Sequence, residues 1–439
     1  MTAIWVGIDD TDSPRGGCTT WCLTELLALA REEGVDLIGE PRLVRLNPSI
    51  PWKTRGNAAL SAHFGRGRGP RRRVGVVGGD PIFSFERARP LAPARASSFL
   101  ESAWKRVLAS SRVGEARTDP ALVASSRPLP AELYYRAVRE VVDVRETHAL
   151  LRSLGAWVRA AGDGRGVIGA AASIAWPGRR RTWELIAYRP IDREGERRRV
   201  EPSSVRRAAR EQRHLFLCDD PRTRRLLVAP HTPCPILFGL RGTDPESPLR
   251  ALRRIRSEPV DRWVLFRTNQ GTGDHLVRRA VRELVPYSSS VLNVTVAEPP
   301  AILRGGHVRL RVRDRDDGLL DAIAFEPTKT LPAIARHLVP GDRLQIWGSR
   351  GPRPALNLEG IRIFRFAPRW SRGRPPDCLR CGRRTSSLGS VRGFRCPGCR
   401  RTFPPEAAPR VRAAPSVTVG VYHPTPSARR HLAPLAPEP

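Results

Sequence analysis

Three carboxylates stand within four residues, at Asp9, Asp10 and Asp12. Such a group repels itself, and a divalent cation relieves the repulsion; Mg2+ prefers oxygen ligands and keeps a phosphate as its partner. The apolar run 2–8 before them reads as a buried strand, and residues 13–20 after them, with Gly16 and Gly17, lead into a helix. A glycine-containing loop feeding a helix aims backbone N–H groups at an anion. The logic is that of a phosphate loop without its sequence, since GxxxxGK[ST] is absent. The same residues also fit a plain Asp-rich turn with Thr19 or Thr20 as the helix N-cap. Residues 51–57, PWKTRGN, hold one of only three lysines. Lys53 and Arg55 lie two apart, so on an extended segment both point one way. Facing the Asp loop, with Asn57 beside them, they suit ATP phosphates; a surface loop is the equal alternative.

The pairs Cys378-x2-Cys381 and Cys396-x2-Cys399 are the most specific metal pattern. Each knuckle puts two thiolates on one turn, as tetrahedral Zn2+ requires. With four cysteines no position stays open for water, so this zinc is structural. The nine histidines are dispersed without HExxH, and no GxSxG occurs, so neither a zinc hydrolase nor a serine triad has support. Each histidine reads as a structural or surface residue. Two further clusters, Gly162-Asp163-Gly164-Arg165-Gly166 and Thr268-Asn269-Gln270-Gly271-Thr272, are too common in type to carry a function alone.

The charge balance names the partner. The chain has 76 basic and 43 acidic residues, a net charge of +33. Cations that neutralise phosphates release condensed counterions, so the excess favours nucleic acid. Nearly every basic residue is arginine, which codon bias explains; the excess of positive charge it does not. No apolar run of transmembrane length appears, and the N-terminus lacks a signal-peptide layout, which predicts a cytoplasmic protein without a membrane partner.

The 439 residues allow two to four domains. After the opening strand, residues 20–34 read as an amphipathic helix with Leu23, Leu26, Leu27 and Ala30 on one face and Gly34 as its stop. A strand-like run covers 41–50. Residues 65–73, GRGRGPRRR, read as a loop, and the Ala/Pro/Ser-rich stretch 90–130 holds a short helix near 99–108. Residues 129–144 and 146–164 read as helices, 167–176 as an apolar run, and 182–189, 224–230, 233–242 and 262–273 as strands or strand ends. From 286 to 367 five short alternating runs appear, with a helix between the third and fourth, which is the OB-fold order. Residues 371–376 read as a linker.

These pieces, in this order, resemble the archaeal tRNA 2-agmatinylcytidine synthetase family, TiaS. The stretches that carry the likeness are GIDDTDSPRGGCTTW, PRLVRLNPSIPWKTRGN, LPAELYYRAVREVV, GDGRGVIGA with TWELIAYR, HTPCPILFGLRG, RWVLFRTNQGT, the strand set, the ribbon and YHPTPSARRHL. The resemblance implies a multidomain α+β protein. Its modules would be a kinase-like α/β ATP-binding domain (1–130), a ferredoxin-like domain (131–283), an OB-fold β-barrel (284–370) and a zinc ribbon with a C-terminal tail (371–439). It implies an ATP-dependent ligase that conjugates agmatine to C2 of the wobble cytidine in the CAU anticodon of the minor isoleucine tRNA, so that AUA is read. In that chemistry ATP turns the C2 oxygen into a phosphate ester, and the amine of agmatine displaces phosphate. Asp9, Asp10 and Asp12 would bind Mg2+ and ATP phosphates; Gly16, Gly17, Thr20, Lys53, Arg55 and Asn57 would line the nucleotide site. Thr19 matches the family's autophosphorylated threonine. Asp163 departs from the family's usual Asn, either to pair with cationic agmatine or without consequence. The oligomer expected is a monomer or a dimer. The competing readings are a non-enzymatic OB-fold and zinc-ribbon nucleic-acid binder, and an RNA kinase or nucleotidyltransferase that does not use agmatine.

Overall fold

In the computed structural model, residues 3–435 are described; Thr2 of the expected first strand and residues 436–439 of the expected tail lie outside them. Val6 and Ile8 of β1 (Ile4–Asp9) are fully buried, as the apolar run demands. The helix α1 (Thr19–Glu32) buries Leu23, Leu26, Leu27 and Ala30, and Gly34 turns the chain at φ +59°. The expected strand at 41–50 is the second half of β2 (Asp36–Arg45).

The GRGRGPRRR segment is not a loop. It lies inside the long β3 (Ala58–Val77), which pairs antiparallel with β4 (Asp80–Arg89). A register shift between Arg68 and Arg71 takes up Gly69 at φ +84°, and the arginines stay exposed along the hairpin. Polar composition suggested a loop, but an edge-like hairpin satisfies its backbone in the ladder while arginine stems cover its faces. The expected short helix is longer, α2 (Pro93–Ser110), with proline in its first turn, and β5 (Ala121–Ser125) follows. The helix expected over 129–144 is α3 (Ala131–Arg139). That over 146–164 is corrected: α4 (Val144–Ser153) stops before Gly155, whose φ of +66° breaks it, and β6 (Trp157–Ala160) continues. The apolar run is helix α5 (Gly166–Ala175). Strands β7 (Thr182–Tyr188), β8 (Leu215–Phe216), β9 (Ile236–Gly242) and β10 (Arg262–Thr268) complete one sheet. Within 224–230 only Arg225–Leu226 is strand.

The ten strands run in the order β6-β5-β1-β3-β4-β2-β10-β7-β9-β8. Thus strands from both sides of residue 130 share one sheet, with β6 paired to β5. Helix α5 crosses β1 closely: a Cβ on Gly7 would stand 2.2 Å from the Ala170 carbonyl oxygen.

The five expected strands form a barrel: Ser289–Val296, Val308–Arg313, Leu319–Ala324, Arg343–Arg350 and Ala355–Arg365. Pairing of Thr295 with Arg313 closes it, and helix Thr330–Ala335 sits between the third and fourth strands. Leu310, Ala322, Ile346, Leu356 and Ile361 fill it. The expected linker is partly strand, since Trp370–Arg372 pairs with Arg410–Arg412. Beyond the ribbon the chain returns: Gly420–Tyr422 pairs with the last barrel strand, and Leu432 enters the core beside α5.

Candidate functional site

Asp9 ends β1 against α5. A Cβ on Gly169 would lie 1.8 Å from Asp9 Oδ2, so only glycine lets the helix approach this carboxylate. Asp9 Oδ1 accepts the Asp10 N–H at 2.8 Å, and Asp10 turns the chain at φ +59°. Burial first, then the Asp10 and Asp12 charges, push the Asp9 carboxyl well above its usual range. Burial, then Asp119 and Asp12, raise Asp10 to about 7. Burial also raises Asp12, opposed by Arg55, whose Nε lies 3.2 Å from Asp12 Oδ2. Asp119 is raised by burial and by Asp163, which donates its backbone N–H to Asp119 Oδ1 at 3.3 Å. Charge of one sign accumulates here, and a cation would relieve it.

The donor set fits Mg2+ in its usual manner, one or two carboxylates completed by phosphates and water. Asp9 and Asp10 meet that description. Among the described residues no third carboxylate joins them closely enough to form an all-protein cage. Asp12 is bound to Arg55.

Arg55 ties the loop together. Its Nη2 donates to the carbonyls of Ser13, Gly16 and Gly17 at 2.8, 2.7 and 3.0 Å, and its Nη1 to Pro233 at 3.1 Å. Residues 51–57 are turns and not an extended segment, so the two-apart argument for Lys53 and Arg55 does not hold. Lys53 reaches the Pro48 carbonyl. Asn57, at φ +43°, donates to the Asn47 carbonyl at 2.8 Å and closes the same turn. Gly17 gives its N–H to Glu194 Oε1 at 2.7 Å, and Gly16 gives its own to Ser13. These two N–H groups therefore face protein acceptors. The expected N-cap hydroxyl is absent too: Cys18 precedes the helix and caps nothing with its side chain. Thr19, Thr20 and Trp21, the first turn of α1, have no intrahelical acceptor for their N–H groups, and that end of the helix favours an anion.

A cavity of about 400 Å³ brings most of these residues together. Asp9, Asp10, Asp12, Thr19, Thr20, Lys53, Arg55 and Asn57 border it; Gly16 and Gly17 do not. Arg45 and Arg241 border the same cavity, both paired to the buried Glu184 at 3.6 and 3.2 Å. At its edge the Arg165 guanidinium stacks 4.0 Å over the Trp52 ring. Ser427 and His431 close it from the far end of the chain. Isolated residues gave no sign of these contributors. Only their stretches, PRLVRLNPSIPWKTRGN, TWELIAYR, GDGRG, HTPCPILFGLRG and YHPTPSARRHL, stood out by resemblance. A cavity bordered by both carboxylates and cations suits a cation–polyphosphate ligand.

The four ribbon cysteines converge as their spacing predicts. Their Sγ atoms lie within 4.8 Å of one another, with Cys378–Cys399 and Cys381–Cys396 at 3.4 Å. Zn–S bonds of about 2.3 Å imply sulfur separations near 3.8 Å, so little movement closes the site on zinc. The Cys399 backbone N–H helps lower the Cys396 thiol to about 6, toward the thiolate a metal needs.

Residues 5–162 match the TiaS TCKD domain, 164–275 the TiaS FLD domain, and 375–408 the TiaS C-terminal zinc ribbon domain. The chain is 36% identical to the isoleucine-tRNA 2-agmatinylcytidine synthetase TiaS of Methanosarcina mazei, over 98% of this chain and 96% of that protein. Against the protein of the same name from Methanopyrus kandleri, identity is 34% over 98% and 95%. The fold is similar to the crystal structure of TiaS in complex with its isoleucine tRNA and ATP, with TM-score 0.82, 31% identity and coverage of 99% and 96%. For the complex of TiaS with that tRNA, AMPCPP and agmatine the values are 0.80, 28%, 99% and 96%.

Proposed function

The chain belongs to the TiaS family, and from that membership we infer that it is an ATP-dependent ligase joining agmatine to C2 of the wobble cytidine in the minor isoleucine tRNA. The observation that carries the reading is the one cavity that Asp9, Asp10 and Thr19 line together with Arg45, Lys53 and Arg241. A pure nucleic-acid binder needs no such cluster of half-buried carboxylates, so the non-enzymatic reading is not favoured.

Asp9 and Asp10 would hold Mg2+, which neutralises charge on the transferring phosphate. The first turn of α1 offers its free N–H groups to the same phosphates, and Thr19 presents its hydroxyl there as the phosphate-accepting group. Lys53 adds positive charge to the same cavity. Arg55 and Asn57 act one step back, by holding the loops that carry Asp12 and Lys53. Gly16 and Gly17 shape that loop.

We further take the ATP-binding module to be kinase-like and the next to be ferredoxin-like, followed by the barrel as an OB-fold and the ribbon with its tail. The matches at 5–162 and 164–275 support a first boundary nearer 162 than 130. The barrel and the ribbon would grip the tRNA body, while the cytidine, splayed from the single-stranded anticodon loop, enters the cavity. Among the described residues no helix is long and apolar enough to cross a membrane. A cytoplasmic place is in keeping with the substrate.

The test is to incubate the protein with ATP, agmatine and the tRNA transcript and weigh the released nucleosides. A mass gain on one cytidine is expected; none would remove the proposal. Asp10→Ala should abolish ATP consumption and leave tRNA binding intact.

A further inference from the structure

The segment past the ribbon is a strap with a purpose of its own. Ser427 donates its N–H and hydroxyl to Asp220 Oδ2 at 3.2 and 2.5 Å. Arg430 reaches Glu359 Oε1 at 3.3 Å and Ser49 Oγ at 3.1 Å. The backbone then pairs with the TNQGT turn, Gly271 N–H to His431 at 2.8 Å and Gly273 N–H to Leu432 at 2.9 Å, and Leu432 is buried at 1% exposure. Between these anchors His431 is an exposed residue that borders the cavity.

Its protonation follows from its partners. Glu184, pinned by Arg45 and Arg241, can only accept, so the Gln270 amide nitrogen faces it and donates. That leaves Gln270 Oε1 toward His431 Nδ1, 3.0 Å away. An amide oxygen accepts only, so Nδ1 carries the hydrogen. Arg45 above all, then burial, Arg241 and Lys53, hold the imidazole well below its ordinary pKa, and the ring is neutral. Nε2 therefore presents a lone pair, beside Gly56, where an added Cβ would stand 3.6 Å from it.

A phosphate or carbonyl oxygen would set lone pair against lone pair here. An ammonium or guanidinium would meet Arg45, Arg241 and Lys53. What remains is a neutral donor, a sugar hydroxyl or the exocyclic amino group of a nucleobase, and of these only the amino group distinguishes one base from another. We infer that His431 is a specificity-determining residue that accepts the N4 amino hydrogen of the target cytosine and disfavours a base with a carbonyl there. The inference rests on the cytidine substrate proposed above. The adenine amino group of ATP has the same chemistry, and the test separates the two.

The test is a four-cornered cycle on the full-length protein. The first axis is wild type against His431→Ala; the second is tRNA with cytidine or with pyrimidin-2-one at the wobble position, which removes only the amino group. Wild type should prefer cytidine in kcat/KM by on the order of tenfold or more, because a site built around a donor rejects its absence. In His431→Ala the two transcripts should agree within about twofold. His431→Phe, which keeps the ring and loses both nitrogens, should give the same collapse if the alanine variant folds poorly. An unchanged preference in either folded variant overturns the inference. So does coupling found only in the parallel cycle of ATP against the purine triphosphate lacking the amino group. A wild type that modifies no cytidine fails differently, since it removes the proposed function itself.

Discussion

Removing the Arg55 side chain asks whether this residue serves the nucleotide or the loop. Its guanidinium donates to four carbonyls, at Ser13, Gly16, Gly17 and Pro233, and faces Asp12 at 3.2 Å. Hydrogen bonds to a charged group are worth about 1.5–3 kcal/mol each, but water replaces some of them when the group is lost. Breaking a buried pair by deleting one partner costs about 3–5 kcal/mol. With side-chain exposures of 18% and 19% for Arg55 and Asp12, the lower end applies, about 3 kcal/mol. At about 2–4 °C per kcal/mol for a unit of 150–250 residues, Arg55→Ala should lower the midpoint of the nucleotide-free protein by about 6–12 °C. Arg55→Lys keeps the charge near Asp12 without the planar fork, and should recover less than half of that loss. The assay is thermal unfolding with and without ATP and Mg2+, alongside ATP titration. If the apo midpoint stays within a degree or so while ATP affinity falls, Arg55 is a phosphate ligand and the loop-tying argument is refuted.

Three other perturbations probe separate parts. Gly169→Ala pushes a methyl into Asp9 Oδ2, so ATP consumption should fall by about two orders of magnitude while zinc content is unchanged; normal turnover would mean the strand–helix approach is not needed. Cys396→Ser should release zinc and weaken tRNA binding in a filter or gel assay, with ATP binding retained; a variant that keeps full tRNA affinity speaks against the ribbon as an RNA grip. Asp163→Asn restores the family's usual residue and removes one repulsion from Asp119, whose folded pKa is raised by burial and by that neighbour. A raised carboxyl pKa brings a stability penalty that sets in as pH rises through the folded value, so the variant should gain stability near pH 8 and little near pH 4. Melting curves in EDTA at both values check the sign, and an equal gain at the two would contradict it.

Much of the site could be read before the fold was known, for a physical reason in each case. Asp9, Asp10 and Asp12 crowd charge within one turn, and the CxxC knuckles carry their ligand geometry in their own spacing. The barrel strands alternate cleanly because each has one face on a small core. The arginine-rich β3 misled because exposed strand residues look like loop residues in composition. Residues 146–164 misled because Gly155 breaks a periodicity that otherwise runs on.

What the sequence by itself determined was local: the acidic turn, the strand and helix around it, the four-cysteine centre, and a surplus of positive charge that favours nucleic acid. The tertiary structure decided everything that depends on distant segments meeting. It gave Gly17 N–H to Glu194, committed Arg55 to the loop's own carbonyls, and brought Arg45, Glu184 and Arg241 to the cavity that the carboxylates border. It also carried His431 back across the barrel to Gln270, 161 positions earlier in the chain. Spacing along a chain constrains a hydrogen bond only within a turn or two. Beyond that, which donor finds which acceptor is settled by how sheets and straps pack, and a dispersed histidine acquires its lone pair's direction only there.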